Sequence, residues 1–151
     1  GDIQVMSAGT GVMHSEENAS DSQATKFLQI WVIPNKRDVT PRYNQVNFRE
    51  LLKDNELLNL VSPQDQGGVV WIHQDAWFNW GKYTIDKEIN YKINKTGNGA
   101  FVFVLNGKVE IDGQILDNRD AIGVTDTTDF NIKIHPNTEF LIMDVPMDFS
   151  A

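Results

Sequence analysis

The stretch FVFVLNGKVEIDGQIL, Phe101 to Leu116, decides how the rest of the chain is read. Apolar residues run almost without break, many of them β-branched or aromatic, and two glycine dipeptides punctuate them. Asn-Gly and Asp-Gly accept the positive φ that a two-residue type I′ turn needs at both central positions. Asn106-Gly107 is therefore expected to join Phe101–Leu105 to Lys108–Ile111 as a tight hairpin, and Asp112-Gly113 to turn the chain again at once. With a side-chain period of two, Val102, Val104, Val109 and Ile111 fall on one face, and Phe101, Phe103 and Leu105 on the other. A meander apolar on both faces needs a second sheet over at least one of them.

Outward from this stretch the same period recurs. Lys26–Ile33, Leu57–Val61, Val69–His73, Trp77–Tyr83, Glu88–Ile93, Ala100–Leu105, Lys108–Ile111, Phe130–Ile134 and Glu139–Val145 read as short strands bounded by Gly, Pro, Asn and Asp. That density of strands favours an all-β sandwich or barrel. One short helix is expected where Asn47 precedes Phe48, Leu51 and Leu52 at i, i+3, i+4 spacing, with Glu50 completing a capping box. The five prolines, Pro34, Pro41, Pro63, Pro136 and Pro146, fall between apolar runs or at their ends, where a missing N–H harms no ladder.

The chain has 151 residues, no cysteine and a formal net charge of -8. A domain of this size buries roughly two-thirds of its unfolded surface and needs no disulfide to hold a core. The acidic balance offers no field for phosphates, so neither nucleic acid nor an anionic membrane is an expected partner. No apolar run approaches the ~20 residues that a bilayer-spanning helix needs. A soluble, cytoplasmic protein is expected, and Gly1 in place of Met reads as a processed or excised start.

Residues 1–25 differ in character. A strand around Ile3–Val5, a glycine turn and a second strand through His14 lead into a polar stretch, Glu17–Thr25, with linker composition. A domain boundary is therefore placed near residue 25, giving 1–25 and 26–151. If His14-Ser15-Glu16 lies on a strand, His14 and Glu16 project to one face. An imidazole and a carboxylate so placed make half of a site for a divalent transition metal.

The string Met6-Ser7-Ala8-Gly9-Thr10-Gly11-Val12-Met13-His14-Ser15-Glu16, followed by Leu28-Gln29-Ile30-Trp31-Val32-Ile33-Pro34 and Pro41-Arg42-Tyr43, strongly resembles the pirin family. Ser62-Pro63 and His73-Gln74-Asp75 extend the likeness more loosely. That resemblance implies a pair of cupin-type jelly-roll sandwiches, of which 1–25 would be the end of the first and 26–151 the whole of the second. It also implies a metal in the first cupin held by three histidines and a glutamate, with His14 and Glu16 matching the last two ligands. The H-x-H element that supplies the others in the family has no counterpart here. The metal would be Fe(II) or another divalent transition ion, none is expected to be held tightly by this chain, and Glu16 could double as a catalytic base in an intact parent.

Other patterns carry less. His73 and His135 are isolated and read as capping or surface histidines. Gly9-x-Gly11 lacks the third glycine of a dinucleotide fingerprint and reads as a tight turn. Trp71, Trp77, Phe78 and Trp80 could stack on a flavonoid or sugar ring, yet read more simply as core. Asp117, Asp120, Asp126 and Asp129 read as solvated turns. Three functions follow: a piece of a quercetin 2,3-dioxygenase-like bicupin, inactive alone, with a structural second cupin; a non-catalytic, iron-responsive interaction protein; or a module binding a flavonoid-like small molecule or a glycan. The missing first cupin is the expected partner, and an unpaired Ile3–Val5 strand would favour a homodimer or domain exchange through residues 1–16.

Overall fold

The computed structural model describes residues 1–148. Its strands, in chain order, are β1 (Asp2–Ser7), β2 (Arg42–Asn47), β3 (Glu56–Pro63), β4 (Val70–Ile72), β5 (Trp77–Tyr83), β6 (Lys87–Lys92), β7 (Asn98–Asn106), β8 (Val109–Ile111), β9 (Gln114–Leu116), β10 (Ala121–Val124), β11 (Asp129–Ile134) and β12 (Thr138–Pro146). A six-stranded sheet, ordered β10-β7-β12-β5-β3-β4, faces a four-stranded sheet, β6-β11-β8-β9. The β1-β2 ribbon forms a third, smaller layer. Every pairing is antiparallel except β3 with β4.

Period two sorts side chains between two cores. Along β12, Phe140 and Ile142 join Val102 and Val104 of β7 against Val109, Ile111, Ile132 and Ile134 of the smaller sheet. Leu141 points the other way, into a second cluster where Val5 and Phe48 cover Leu60, Val61 and Phe78. The predicted division of the 101–111 stretch is thus seen: Val102, Val104, Val109 and Ile111 are buried, while Phe101 stays exposed.

Several sequence expectations need correction. Asn106-Gly107 does not close a hairpin. Gly107 has φ +86°, but Asn106 is not in the left-handed region, and the chain crosses from the six-stranded to the four-stranded sheet. Side chains satisfy the crossover instead: Gly107 N–H donates to Asn118 Oδ1 (2.6 Å) and Lys108 N–H to Thr138 Oγ1 (3.0 Å). Asp112-Gly113, with φ +49° and +73°, does make the tight turn between β8 and β9.

Lys26–Ile33 forms no strand despite its composition, because no edge within the described residues pairs with it. The expected helix is a three-residue 3-10 turn, Arg49–Leu51, with Phe48 and not Asn47 at its N-cap position; Asn47 Oδ1, one residue further back, accepts from Arg49 N–H (3.1 Å). The Ile3–Val5 strand is not left unpaired: β1 runs antiparallel to β2, with Ile3 opposite Val46 and Val5 opposite Asn44. β2 and β10 were not expected, one being mostly polar and the other four residues long with a glycine inside it. Among the described residues, no helix is long and apolar enough to cross a membrane.

Candidate functional site

Beyond β1 the chain turns sharply at Gly9. Its φ is +53°, and a side chain there would collide with the Val39 carbonyl. Thr10 N–H donates to that same carbonyl (3.1 Å), so the turn is pinned to the segment leading into β2. Residues 8–41 contain no strand or helix, and the strand expected through His14 is absent. His14 and Glu16 both lie exposed on this irregular stretch, so the alternation that would set them on one face does not operate. The Glu17–Thr25 stretch is a surface loop closed on itself. Asn18 Nδ2 donates to Gln23 O (2.6 Å), and Asn18 Oδ1 accepts from Thr25 Oγ1 (2.8 Å).

Metal chemistry needs about three protein donors and a free position. Among the described residues, no three His, Asp or Glu side chains converge in a way that could hold an ion. His73 sits just beyond β4, edge-on to Trp71 with ring centroids 4.9 Å apart. His135 lies far along the chain, 3.5 Å from Asp86. His14 and Glu16 are therefore two donors without a third, and the residues present do not by themselves fit a transition ion.

The expected aromatic cluster is dispersed. Phe78 is buried in the second core, where Trp80 packs on Phe48 at 5.5 Å, so these two are core residues. Trp71 instead carries the Arg42 guanidinium over its ring, with Cζ 3.5 Å from the centroid. Of the four aspartates read as turns, Asp117 makes an exposed ion pair with Lys108 (3.2 Å). Asp129 accepts from Asn90 (2.9 Å), which, with Thr128, holds its carboxyl below the usual range.

Sequence reasoning missed a buried polar cluster in the sandwich. Asp144, fully buried on β12, accepts from Asn98 Nδ2 (2.7 Å) on Oδ1. Its Oδ2 accepts from Tyr91 OH (3.2 Å), Asn94 N–H (2.8 Å) and Asn94 Nδ2 (2.8 Å). Asn79 Nδ2 in turn donates to Tyr91 OH (3.0 Å). Burial pushes the Tyr91 phenol well above its ordinary range, and the Asp144 charge adds to the effect. The signal was an aspartate inside the apolar run Phe140–Val145, since carboxylates are buried only when partnered.

A family model described as "Quercetinase C-terminal cupin domain" matches residues 59–145, more than half of the chain. A second model, "Pirin", matches residues 1–32. The chain belongs to the pirin family. Among curated pirin relatives, the quercetin 2,3-dioxygenase of Escherichia coli K12 is 29% identical over 147 residues, covering 97% of this chain and 62% of the relative. A pirin-like protein of Caulobacter vibrioides is 28% identical over 145 residues, covering 95% of this chain and 62% of its own length. The crystal structure of bacterial pirin YhhW from Escherichia coli in complex with nickel(II) superimposes with TM-score 0.83 at 27% identity, again covering 97% of this chain and 62% of that one.

This pirin chain thus spans less than two-thirds of the length of those relatives. Its double sheet is the cupin-type sandwich that the motifs implied. His14 and Glu16 fall within the residues that the pirin model matches, and the Asp144 cluster within those matched as a C-terminal cupin. At least one relative holds a divalent ion, nickel(II).

Proposed function

We propose that this chain is part of a two-cupin, metal-dependent dioxygenase acting on a flavonol such as quercetin. In that reading His14 and Glu16 supply two of the metal ligands, Fe(II) or another divalent ion being the metal. Residues 26–151 form a structural second cupin that closes the active face of the first. One observation carries the reading: residues 8–33 present their motif and most of their apolar side chains to solvent, with no strand partner among the described residues. Phe27, Trp31 and Ile33 are 72%, 87% and 75% exposed. Apolar surface left so open belongs against another surface. No catalytic step is derived for the 151 residues, since they hold only half of a ligand set; Glu16 is the candidate proton acceptor once that set is complete.

The test measures metal content and oxygen uptake with quercetin, on this chain and on the full product of its gene. The full product is expected to retain one divalent ion and consume oxygen, and to lose both on His14→Ala; the 151-residue chain is expected to do neither. Oxygen uptake by the 151-residue chain alone would refute the shared site. A metal-loaded full product that consumes no oxygen would favour the regulatory reading.

A further inference from the structure

The motif Pro41-Arg42-Tyr43 opens β2, and nothing in the proposed oxidation uses its arginine. Arg42 lies over the Trp71 ring, and its Nη2 donates to Trp71 O (2.5 Å). The ring contact and this hydrogen bond restrain the guanidinium, so less freedom is lost when its remaining N–H groups find acceptors. Trp71 also makes the edge-on contact with His73, at 4.9 Å. The loop that carries Lys36 is strapped to the same place. Asn35 N–H donates to His73 O (2.7 Å), and Gln74 Nε2 donates to Ile33 O (2.8 Å).

Arg42 of β2 and His73, just beyond β4, therefore share one indole, and the loop strapped to the His73 backbone carries Lys36. Among the described residues, neither Lys36 nor Arg42 has a carboxylate within ion-pair reach. Of the nearby acids, Asp75 is committed to Lys95, and Asp38 pairs with none of the three. The same lack of compensation shows on His73, whose imidazolium is disfavoured by burial and then by Lys36 and Arg42. In a chain of net charge -8, basic side chains that none of the neighbouring acids pairs with are conspicuous. A guanidinium whose Nε–H is buried without a partner, set on the same indole as an imidazole, is a donor set that takes carboxylate or phosphate oxygens.

We infer that Arg42, Lys36 and His73, seated on Trp71, form a binding site for a small oxyanion, a carboxylate or a phosphate. Arg42 would supply the directional hydrogen bonds, Lys36 the charge, and His73 a donor once the anion is in place.

Inorganic phosphate and acetate are titrated separately into the 151-residue protein at constant ionic strength held with chloride. The Trp71 indole N–H and His73 ring signals are followed by NMR. At least one of the two anions is expected to give saturable shifts at both residues with a Kd of ~1–10 mM, and the His73 pKa is expected to rise. Arg42→Gln should weaken that binding about tenfold, Lys36→Gln severalfold, and Lys53→Gln, on an exposed loop, should leave it unchanged. Whichever anion saturates identifies the chemistry: phosphate alone points to a phosphorylated ligand, acetate alone to a carboxylate. Non-saturable shifts, no response to either anion, or undiminished binding in both Arg42→Gln and Lys36→Gln would overturn the site. Lys36 is exposed in a loop, so its variant carries the test if Arg42→Gln fails to fold.

Discussion

Asp144 is the residue on which the sandwich interior is most exposed to damage. Its two oxygens take four hydrogen bonds, all from neutral donors, and among the described residues no cation pairs with it. Asp144→Ala leaves the buried Asn98 amide and Tyr91 hydroxyl without their acceptor, and is expected to lower the unfolding free energy by about 3 kcal/mol in urea titration. Tyr91→Phe removes one donor and strands Asn79 Nδ2, for about 1–2 kcal/mol. The double variant should lose less than the sum, because the two side chains share one network. Tyr91 also sets an alkaline limit. Its phenol is held protonated in the fold, so the stabilisation is complete below its ordinary pKa, near 10, and is lost as pH rises above that value. Tyr91→Phe should therefore flatten the fall in stability above pH 10. Tyr83, shifted the same way, leaves some of the slope in place. None of this was visible from composition, which showed a lone acid in an apolar run but not the three asparagines folded around it.

At the scale of elements, what could be read depended on whether a strand's partner was implied by its own turn. Trp77–Tyr83 matches β5 at both ends, and Asp112-Gly113 makes its hairpin, because each signal is local. Asn106-Gly107 carries the same dipeptide preference, yet the covering sheet captured the next strand, so tertiary pairing overrode turn chemistry. The two glycines can be told apart experimentally. A methyl at Gly113 meets nothing within 4 Å and bears only the left-handed backbone cost, about 1–2 kcal/mol for Gly113→Ala. At Gly107 it would also collide with Thr138, so Gly107→Ala should cost clearly more, as compared by thermal denaturation. Lys26–Ile33 shows the opposite limit. Its alternation and β-branched residues are those of a strand, but propensity supplies no neighbour, and the segment stays open. His14 and Glu16 share that limit: residue types and order pointed to half of a ligand set, while geometry for the other half has no source among the described residues.

For the molecule as a whole, the exposed apolar surface is concentrated in the first third of the chain, at Met13, Phe27, Trp31, Ile33 and Tyr43 among others. The 151-residue chain is therefore expected to self-associate with rising concentration in light scattering. A Trp31→Lys, Ile33→Lys double variant should suppress that association without loss of stability, since both side chains are exposed and lie outside every strand. The sandwich behind that surface has its own asymmetry of order. β12 lies between β7 and β5 in the middle of the larger sheet, although it follows both by more than thirty residues. During synthesis on the ribosome, residues 77–83 and 98–106 must wait, with bare edges, until residues 138–146 have left the exit tunnel. The sheet then assembles by insertion at its centre, a late event in the life of a nascent chain and a point at which a chaperone would be needed.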